Sequence, residues 1–352
     1  MTTPVHLWQG AGCTAASAFS IVAHMKIMRI LIAIPALNEA STVGAVIRGI
    51  PRAFPGLRPP VVLVVDDGST DGTAEAASTA GAIVLRHGRN LGLGEAFRTA
   101  LRYARKNGFH LMATMDADGQ FDPSYLPLLV GPAAAGSADL VTASRFLDRA
   151  LTPDMPWIKA WGNRRVARLV SSLSGLEIKD ATCGFRVYGP AALEKLSSFS
   201  RFTYTQEVII DLASKGLKVE EIPVKVLGRR PVGKSRIAGN LWRYTILSIA
   251  AMYSAAHDYR PWRFYGTPAV ALLTIGLAGD TFVFIRWLLT HRVMPFAGVA
   301  IAGLFLITFS ALLFLFASLA DTASHQRHLV EDLISRDVVR DRIAADLDEQ
   351  GS

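Results

Sequence analysis

The chain has 352 residues, a formal net charge of +8 and a hydrophobic fraction of 51%. This length exceeds one typical domain, and the mean hydropathy of +0.30 indicates a membrane part rather than a wholly soluble protein. The positive charge suits an anionic membrane surface or a phosphate substrate, and the sequence carries no motif typical of nucleic-acid binding. Its two cysteines, Cys13 and Cys183, form neither a disulfide framework nor a zinc motif, which favours a reducing compartment.

The first part of the chain alternates apolar runs with amphipathic segments. No basic region precedes the apolar stretch within residues 1–28, so a disordered extension is predicted there rather than a signal peptide. Continuous apolar runs then predict buried strands, with helices between them. The predicted strands are 29–34, 61–65, 82–85 and 111–115, and the predicted helices are 41–50, 70–80 and 93–107. This alternation is typical of an α/β protein with a Rossmann-like, mostly parallel sheet covered on both faces.

After Asp139 the alternation of strands and helices becomes less regular. Helices are predicted at 160–174, which carries several arginines, and at 204–215, which is followed by a glycine. A strand is predicted at 217–226. Because proline cannot donate to a central ladder, Pro223 places this strand at an edge of the sheet.

The last third of the chain predicts a membrane anchor. Residues 238–262 are apolar with scattered arginines, as in helices that lie along a membrane surface. Residues 264–289 and 296–320 are each long enough to span a bilayer, which takes about 20 apolar residues. Their short connection predicts a two-helix transmembrane hairpin. Residues 322–352 are predicted as a cytoplasmic C-terminal tail, in which the charged residues 330–350 predict a short helix or a frayed end. An aspartate in a span is costly unless it is paired, so Asp280 indicates a contact with another subunit or with a lipid head group, or else a position near the membrane interface.

The distribution of arginines predicts how the hairpin is oriented. More of them flank its outer ends than its short connection, so by the positive-inside rule both ends are expected in the cytoplasm. The arginines at the outer ends are Arg260, Arg263, Arg327, Arg336, Arg340 and Arg342, against Arg286 and Arg292 near the connection.

Two carboxylates follow the strand predicted at 111–115. Asp116 and Asp118 lie two residues apart at a strand end, where they can share a divalent cation. Hard oxygen ligands suit Mg²⁺ or Mn²⁺, which usually also bind substrate phosphates. A loop with two solvated aspartates has the same pattern, so this motif alone leaves both interpretations open.

Three further motifs fall at the same edge of the predicted sheet, where parallel sheets bind their ligands. Asp66 and Asp67 follow the second strand and can accept hydrogen bonds from a base or a ribose. The segment Pro35-Ala36-Leu37-Asn38-Glu39 follows the first strand. Gly92 precedes a helix, where a glycine lets backbone N–H groups approach a ligand.

These motifs, in this order, resemble the family 2 glycosyltransferases, which have the GT-A fold. Later segments resemble the branch of that family that makes dolichyl- or polyprenyl-phosphate mannose or glucose. These segments are Ser144-Arg145-Phe146, Asp180 to Tyr188, Thr205-Gln206-Glu207, Glu221 to Val224 and Gly233-Lys234-Ser235. The resemblance implies a GT-A catalytic domain over 29–237, and a two-helix membrane anchor after it is common in that branch.

The resemblance also implies roles for individual residues. A divalent cation, Mg²⁺ or Mn²⁺, is expected on Asp116, Asp118 and Gln120. Arg145 matches an arginine that reaches the acceptor phosphate, and Arg164 or Arg165 matches a second one. Catalytic roles fall on Asp116, Asp118 and Arg145. The residues expected to bind the nucleotide-sugar are Pro35, Asn38, Glu39, Asp66, Asp67, Gly92, Asp116, Ala117, Arg229, Lys234 and Ser235.

The implied reaction transfers one hexose, with inversion, from a nucleotide-sugar to polyprenyl or dolichyl phosphate on the cytoplasmic membrane face. GDP-mannose is favoured as donor, with UDP-glucose as the alternative, and the spans allow a homo-oligomer. A transferase for another glycolipid and a non-catalytic nucleotide-sugar-binding partner remain alternatives. A processive polysaccharide synthase is disfavoured because its Q-x-x-R-W motif is missing. Asp180 and Arg186 are open as well, since they can pair with each other for purely structural reasons.

Overall fold

A computed structural model describes most of the chain. The described residues are 28–153, 155, 157–196, 204–227, 253, 257 and 261–350. Residues 1–27 of the predicted N-terminal extension and nearly all of the predicted amphipathic segment 238–262 lie outside them, as do Arg229, Lys234 and Ser235.

Seven strands form one mixed sheet, in the order β3-β2-β1-β4-β6-β5-β7. They are β1 (Ile30–Ala36), β2 (Val61–Asp66), β3 (Ile83–Arg86), β4 (Leu111–Thr114), β5 (Leu140–Ser144), β6 (Arg186–Tyr188) and β7 (Val219–Pro223). Strand β6 is antiparallel to both of its neighbours, and the other four pairings are parallel. Because β6 reverses direction between them, β4 and β5 run the same way. The carboxyl ends of β1, β2, β4 and β5 therefore meet at one edge.

Nine helices are described outside the short helical turns. They are α1 (Val43–Gly49), α2 (Thr73–Thr79), α3 (Leu93–Lys106), α4 (Leu126–Ala134), α5 (Trp157–Ser174), α6 (Pro190–Lys195), α7 (Tyr204–Ser214), α8 (Thr267–Thr290) and α9 (Ala297–Gln350). Side chains of a strand alternate between the two faces of a sheet. Accordingly Ile30, Ile32 and Ile34 lie in one core, beneath α1 and α4, while Leu31 and Ala33 lie in the other, beneath α3 and α7.

Helices α8 and α9 form the predicted hairpin. The first candidate membrane span, Trp262–Thr290, consists of a π-helical turn followed by α8, and the second is Ala297–Ser324 in α9. Their mean hydropathies are 1.8 and 2.6. These bounds agree with the predicted spans to within a few residues. Helix α9 continues without interruption to Gln350, where the sequence predicted a separate short helix or a frayed tail. It also contacts α3 and α6 of the sheet domain.

Small residues bring the two hairpin helices close together. A Cβ added at Gly276 would lie 2.8 Å from the backbone oxygen of Gly303, and a Cβ at Gly303 would overlap the carboxylate of Asp280. The hydroxyl of Ser310 donates to the carbonyl oxygen of Ala269 at 2.7 Å. Close backbone approach and interhelical hydrogen bonds are what hold helices together in a bilayer, where burial of apolar surface cannot.

The sequence located most elements before Asp139 and fewer after it. The predicted strand at 217–226 is shorter, Val219–Pro223, and it is an edge strand as Pro223 indicated. Strand β6 and helices α4 and α6 were not predicted. Strand β6 has only three residues and begins with an arginine, so it carries no apolar run, and Pro132 within α4 masks a helical pattern.

Candidate active site

The edge where β1, β2, β4 and β5 end collects the residues predicted to do chemistry. Asp66 is the last residue of β2, Asp116 follows β4 by two residues, and Arg145 follows β5 directly. Strand β6 begins at the same edge because it runs antiparallel, so the loop before it, residues 180–185, lies there too. Topology alone therefore brings the acidic motifs and Arg145 together.

The loop after β4 holds Asp116 and Asp118 in different surroundings. Asp118 is buried, and its Oδ1 accepts a hydrogen bond from the backbone N–H of Gln120 at 3.0 Å. Asp116 is half-buried against Gly184, where a Cβ would lie 3.3 Å from Asp116 Oδ1. The hydroxyl of Thr114 donates to the carbonyl oxygen of Gly184 at 2.8 Å, which fixes that glycine beside the carboxylate.

This pair of carboxylates fits a divalent cation that also binds substrate. In the part of the chain that the structure describes, no group of three or more His, Cys, Asp or Glu side chains could hold a metal by itself. Mg²⁺ in phosphate-transfer sites is commonly held by one or two carboxylates, with phosphate oxygens and water completing the shell. Asp116 and Asp118 supply that donor set at a strand end.

Gln120 connects this loop to the chain beyond β7. Its side-chain amide donates to the carbonyl oxygen of Leu227 at 3.0 Å, and the backbone N–H of Leu227 donates to the carbonyl oxygen of Gln120 at 3.1 Å. Leu227 precedes the predicted basic residue Arg229 by two positions in the sequence, and Arg229 itself lies outside the described residues. A cavity of about 600 Å³, lined partly by Thr42, Gln120 and Lys225, opens beside the same loop.

Arg145 is bound on one side by a buried carboxylate. Its Nε and Nη2 donate to the two oxygens of Asp180 at 2.7 and 2.8 Å, and its backbone N–H also donates to Asp180 at 3.1 Å. Nη2 further donates to the hydroxyl of Thr182 at 2.6 Å. Burial alone would lower the pKa of Arg145, but its hydrogen bonds and charge interaction with Asp180 raise it, helped more weakly by Asp116. The guanidinium is therefore a fixed positive charge.

Asp180 is held in turn by Glu221 from β7. The two oxygens of Glu221 accept from the backbone N–H groups of Lys179 and Asp180 at 2.7 and 2.8 Å. Burial raises the pKa of Asp180, but the hydrogen bonds and charge of Arg145 outweigh it, and the net pKa is lowered. For Glu221 burial dominates, and its pKa is raised. This support was not predicted from the sequence, because the partners lie 35 and more residues apart in the chain.

The structure rejects the suggested pairing of Asp180 with Arg186. Arg186 is fully buried and donates instead to the carbonyl oxygens of Thr205 and Ala181, at 2.6 and 3.2 Å. Cys183 is also buried, and burial raises the pKa of its thiol to about 12, so it is not a nucleophile near neutral pH.

The loops predicted to bind the nucleotide are tied to one another. Asn38 has a left-handed backbone, with φ of 47°, and its side-chain oxygen accepts from the backbone N–H of Thr70 at 2.7 Å. Its own N–H donates to the hydroxyl of Ser69 at 2.8 Å, while the N–H of Glu39 donates to the hydroxyl of Thr73 at 2.9 Å. The backbone N–H and the side chain of Asn38 thus connect the loop after β1 to the loop after β2. Pro35 lies inside β1, paired with Val65.

The two aspartates at the end of β2 differ in what they bind. Asp67 accepts from the N–H groups of Leu91 and Gly92 at 2.9 and 2.8 Å and lies 2.8 Å from His87 Nδ1, so it supports the loop that carries Gly92. Asp66 accepts from the N–H of Ser69 at 2.8 Å.

The remaining oxygen of Asp66 is better placed for a ligand. Asp66 Oδ2 is buried, lies 3.3 Å from Arg86 Nε, and makes no hydrogen bond to any residue that the structure describes. Arg86 is its ion-pair partner, and a hydrogen bond from water or from a bound molecule can complete its surroundings.

Helix α5 approaches Arg145 through Asn163, which the sequence did not single out. The hydroxyl of Thr182, which accepts from Arg145, lies 3.4 Å from Asn163 Oδ1. The adjoining Arg164 and Arg165 are both exposed, and Arg165 packs over the ring of Trp161 at 5.0 Å.

Comparison with known proteins identifies the family of the chain. The profile of glycosyl transferase family 2 matches residues 31–197. An uncharacterised glycosyltransferase of Mycobacterium bovis is 33% identical over 221 residues, which are 62% of this chain and 94% of the relative. The chain belongs to glycosyl transferase family 2. The resemblance seen in the sequence is thereby confirmed, and the chain is a glycosyltransferase.

Two further comparisons refine the placement of this transferase. The polyprenol monophosphomannose synthase of Mycolicibacterium smegmatis is 29% identical over 262 residues, 71% of this chain and 94% of that one. Glucosyl-3-phosphoglycerate synthase from Mycobacterium tuberculosis, solved with Mn²⁺, UDP-glucose and phosphoglyceric acid, superposes with a TM-score of 0.52. It is 23% identical and covers 70% of this chain and 85% of its own, so this likeness concerns the fold. The predicted GT-A-like fold is confirmed.

Proposed function

We propose that this transferase moves one hexose, with mannose favoured, from a nucleotide-sugar to the phosphate of a polyprenyl phosphate, with inversion. One observation carries the proposal. Arg145, fixed by Asp180, lies at the same sheet edge as Asp116 and Asp118, in a chain with two candidate membrane spans. The name of the mycobacterial relative, polyprenol monophosphomannose synthase, supports the same acceptor and sugar.

The acceptor phosphate is expected to meet Arg145 on the side away from Asp180. Nε and Nη2 already bind Asp180 and Thr182. The phosphate therefore cannot form a bidentate contact with that edge of the guanidinium. We infer that the phosphate binds through Nη1, with Arg164 or Arg165 from α5 as a second contact. A raised pKa keeps Arg145 charged throughout the pH range of an assay, and charge-assisted hydrogen bonds to phosphate are strong.

The donor is expected to lie across the ends of β1, β2 and β4. Asp66 receives the base or ribose, while Glu39 and Gly92 line the neighbouring loops. Asp116 and Asp118, with Gln120 beside them, hold a divalent cation, Mg²⁺ or Mn²⁺. When bound, this cation supplies charge stabilisation to the diphosphate leaving group. Arg229, Lys234 and Ser235 are proposed to close over the same diphosphate.

The transfer itself needs positioning more than proton abstraction. An oxygen of the acceptor phosphate attacks the anomeric carbon while the bond from that carbon to the diphosphate oxygen breaks. The electron pair leaves with the nucleoside diphosphate, and the configuration inverts. A phosphate monoester is already largely ionised near neutral pH, with a second pKa of about 6, so no strong base is required. Arg145 and the carboxylate loop hold the two substrates in line.

The membrane part of the proposal follows from the hairpin. The spans keep the catalytic site close to a bilayer that contains the prenyl chain of the acceptor. The excess of arginines at the outer ends of the hairpin favours the cytoplasmic side for the site. A homo-oligomer formed through the spans is part of the same proposal.

A transfer assay tests the reaction directly. Full-length protein in detergent, with Mg²⁺ or Mn²⁺ and a polyprenyl phosphate, is offered radiolabelled GDP-mannose, UDP-glucose or UDP-N-acetylglucosamine in separate reactions. The third donor is included because a relative from Methanococcus voltae is named an N-acetylglucosaminyltransferase. We expect label in the organic phase from GDP-mannose. Lipid label from another donor would correct the sugar.

A second candidate function, a non-catalytic nucleotide-sugar-binding partner, makes a different prediction. It predicts donor binding without lipid label from any donor, and that result would contradict the proposed reaction.

A further inference from the structure

Helix α5 carries an exposed stripe of tryptophans and arginines along one side. Positions 157, 161, 164, 165 and 168 follow one another at helical spacing and therefore share a face. All five side chains are exposed, and Trp157 and Trp161 are 77% and 50% exposed. We call these residues the α5 stripe: Trp157, Trp161, Arg164, Arg165 and Arg168.

Packing within the domain does not account for the stripe. The opposite side of α5 places Ala167, Val170 and Leu173 in the buried core, so the helix is held by that side and the stripe faces outward. Exposing two large aromatic side chains to water is costly, and a patch of this kind usually marks an interaction site. Tryptophan is enriched where one end of the ring meets apolar material and the other meets water, as at a membrane interface.

The charge of the helix points to an anionic partner. Helix α5 contains Lys159 and three arginines and has no Asp or Glu. The guanidinium of Arg165 packs over the ring of Trp161, so aromatic and cationic groups form one continuous surface. Each basic residue near an anionic bilayer contributes about 1 kcal/mol of attraction.

The position of the helix points to a membrane rather than to a soluble partner. Ser172 lies one turn beyond Arg168, and its carbonyl oxygen accepts from Arg263 Nη1 at 3.4 Å. Arg263 lies in the turn that begins the first span, beside Trp262, which is 50% exposed. The C-terminal end of α5 therefore contacts the turn in which the first candidate span begins.

We propose that the α5 stripe lies against the anionic surface of the membrane in which the hairpin is embedded. The two tryptophans reach the interface between head groups and acyl chains, and Arg168, together with whichever of Arg164 and Arg165 does not bind the acceptor phosphate, contacts lipid phosphates. This contact would restrain rotation of the sheet domain about the spans. It does not depend on sugar transfer, so it can fail or succeed independently of the proposed reaction.

Site-directed fluorescence in vesicles tests this contact. Full-length protein with Cys13→Ser receives Trp157→Cys and is labelled there with an NBD fluorophore, because Cys183 is buried. The matched control carries the label at Ser78→Cys, at an exposed position of α2. Both proteins are reconstituted into vesicles of phosphatidylcholine and phosphatidylglycerol. We expect blue-shifted emission, quenching by head-group nitroxide lipids and loss of iodide quenching at position 157, with none of these changes at position 78.

Three results would overturn the proposal. Iodide quenching at position 157 as complete as at position 78 would mean that the stripe faces water. Protection from both iodide and nitroxide lipids would mean that a protein covers it. Nitroxide quenching that is unchanged in pure phosphatidylcholine, and also after Arg168→Gln, would remove the role of charge.

Discussion

At the scale of single residues, the position of Arg145 depends on Asp180. Removing one partner of a buried ion pair leaves an uncompensated charge and typically costs 3–5 kcal/mol, so we expect Asp180→Asn to destabilise the protein by roughly 3 kcal/mol at neutral pH. Thermal unfolding in detergent measures this. The control is Asp148→Asn, because Asp148 caps an exposed helical turn and asparagine caps equally well.

The same substitution has a pH dependence whose sign is fixed. The pKa of Asp180 is lowered by folding from its ordinary value of 3.8, so its stabilising effect is complete above that pH and is lost as pH falls through the lower folded value. The stability gap between the native protein and Asp180→Asn should therefore narrow below about pH 4. A gap that is constant with pH would contradict the assignment of Asp180 as a buried carboxylate paired with Arg145.

Asp118 offers a cleaner test of the metal assignment. Asn at this position can still accept the hydrogen bond from the N–H of Gln120, but it lacks the charge. Several kcal/mol of stabilisation of the leaving group would be lost, so transfer should fall by about 100-fold or more while the fold is kept. Steady-state transfer and thermal unfolding measure the two effects. Asp122→Asn, at an exposed capping position in the same loop, should leave both unchanged. Retained transfer by Asp118→Asn would remove the metal from that carboxylate.

At the scale of elements, the packing of α8 on α9 depends on Gly276. A Cβ there would lie 2.8 Å from the backbone oxygen of Gly303, which cannot move without shifting the helix. Gly276→Ala should therefore cost about 1–3 kcal/mol, as overpacking usually does. Gly298→Ala in α9 is the matched control, because nothing lies within 4 Å of its added Cβ and alanine favours a helix. Both variants are compared by thermal unfolding in detergent. Equal stability of the two would contradict the close packing.

Elements with strong local signals were predicted from the sequence, and those without were not. Strands β1 and β2 are continuous apolar runs between turn residues, so their burial is apparent in the sequence. Strand β6 is held by β4 and β5 on either side, and its buried Arg186 finds backbone acceptors that only the tertiary fold supplies. The sequence of a three-residue segment does not indicate which strands will lie beside it.

The site shows the same division. The carboxylates were predicted as site residues because they follow strand ends, which local sequence shows, and their roles stay predictions. Their division of labour was not, because it depends on contacts between distant loops. Asp67 supports the loop that carries Gly92, and Glu221 holds the backbone before Asp180, across 41 residues of chain. Both carboxylates lie near strand ends, and their supporting hydrogen bonds are visible only in the folded structure.

At the scale of the whole molecule, a hairpin returns the chain to the side of the membrane from which it came. Labelling of single cysteines by an impermeant maleimide in sealed vesicles, with Cys13→Ser, checks this. Ser78→Cys in the catalytic domain and Gln326→Cys after the second span should react from the same side. Met294→Cys, in the short connection and 75% exposed, should react from the other side. Labelling of all three from one side would mean that the helices do not cross the bilayer.

The length of α9 makes bilayer thickness relevant to the catalytic domain. Its apolar part, Ala297–Ser324, is about 40 Å long, whereas the hydrocarbon core is about 30 Å thick, and a long span accommodates such a mismatch by tilting. The same rigid rod extends about 40 Å further, to Gln350, and it touches α3 and α6. Each 10° of tilt would move its far end by roughly 7 Å. A thinner or thicker membrane would thus change the tilt of α9 and thereby displace the catalytic domain that this helix contacts.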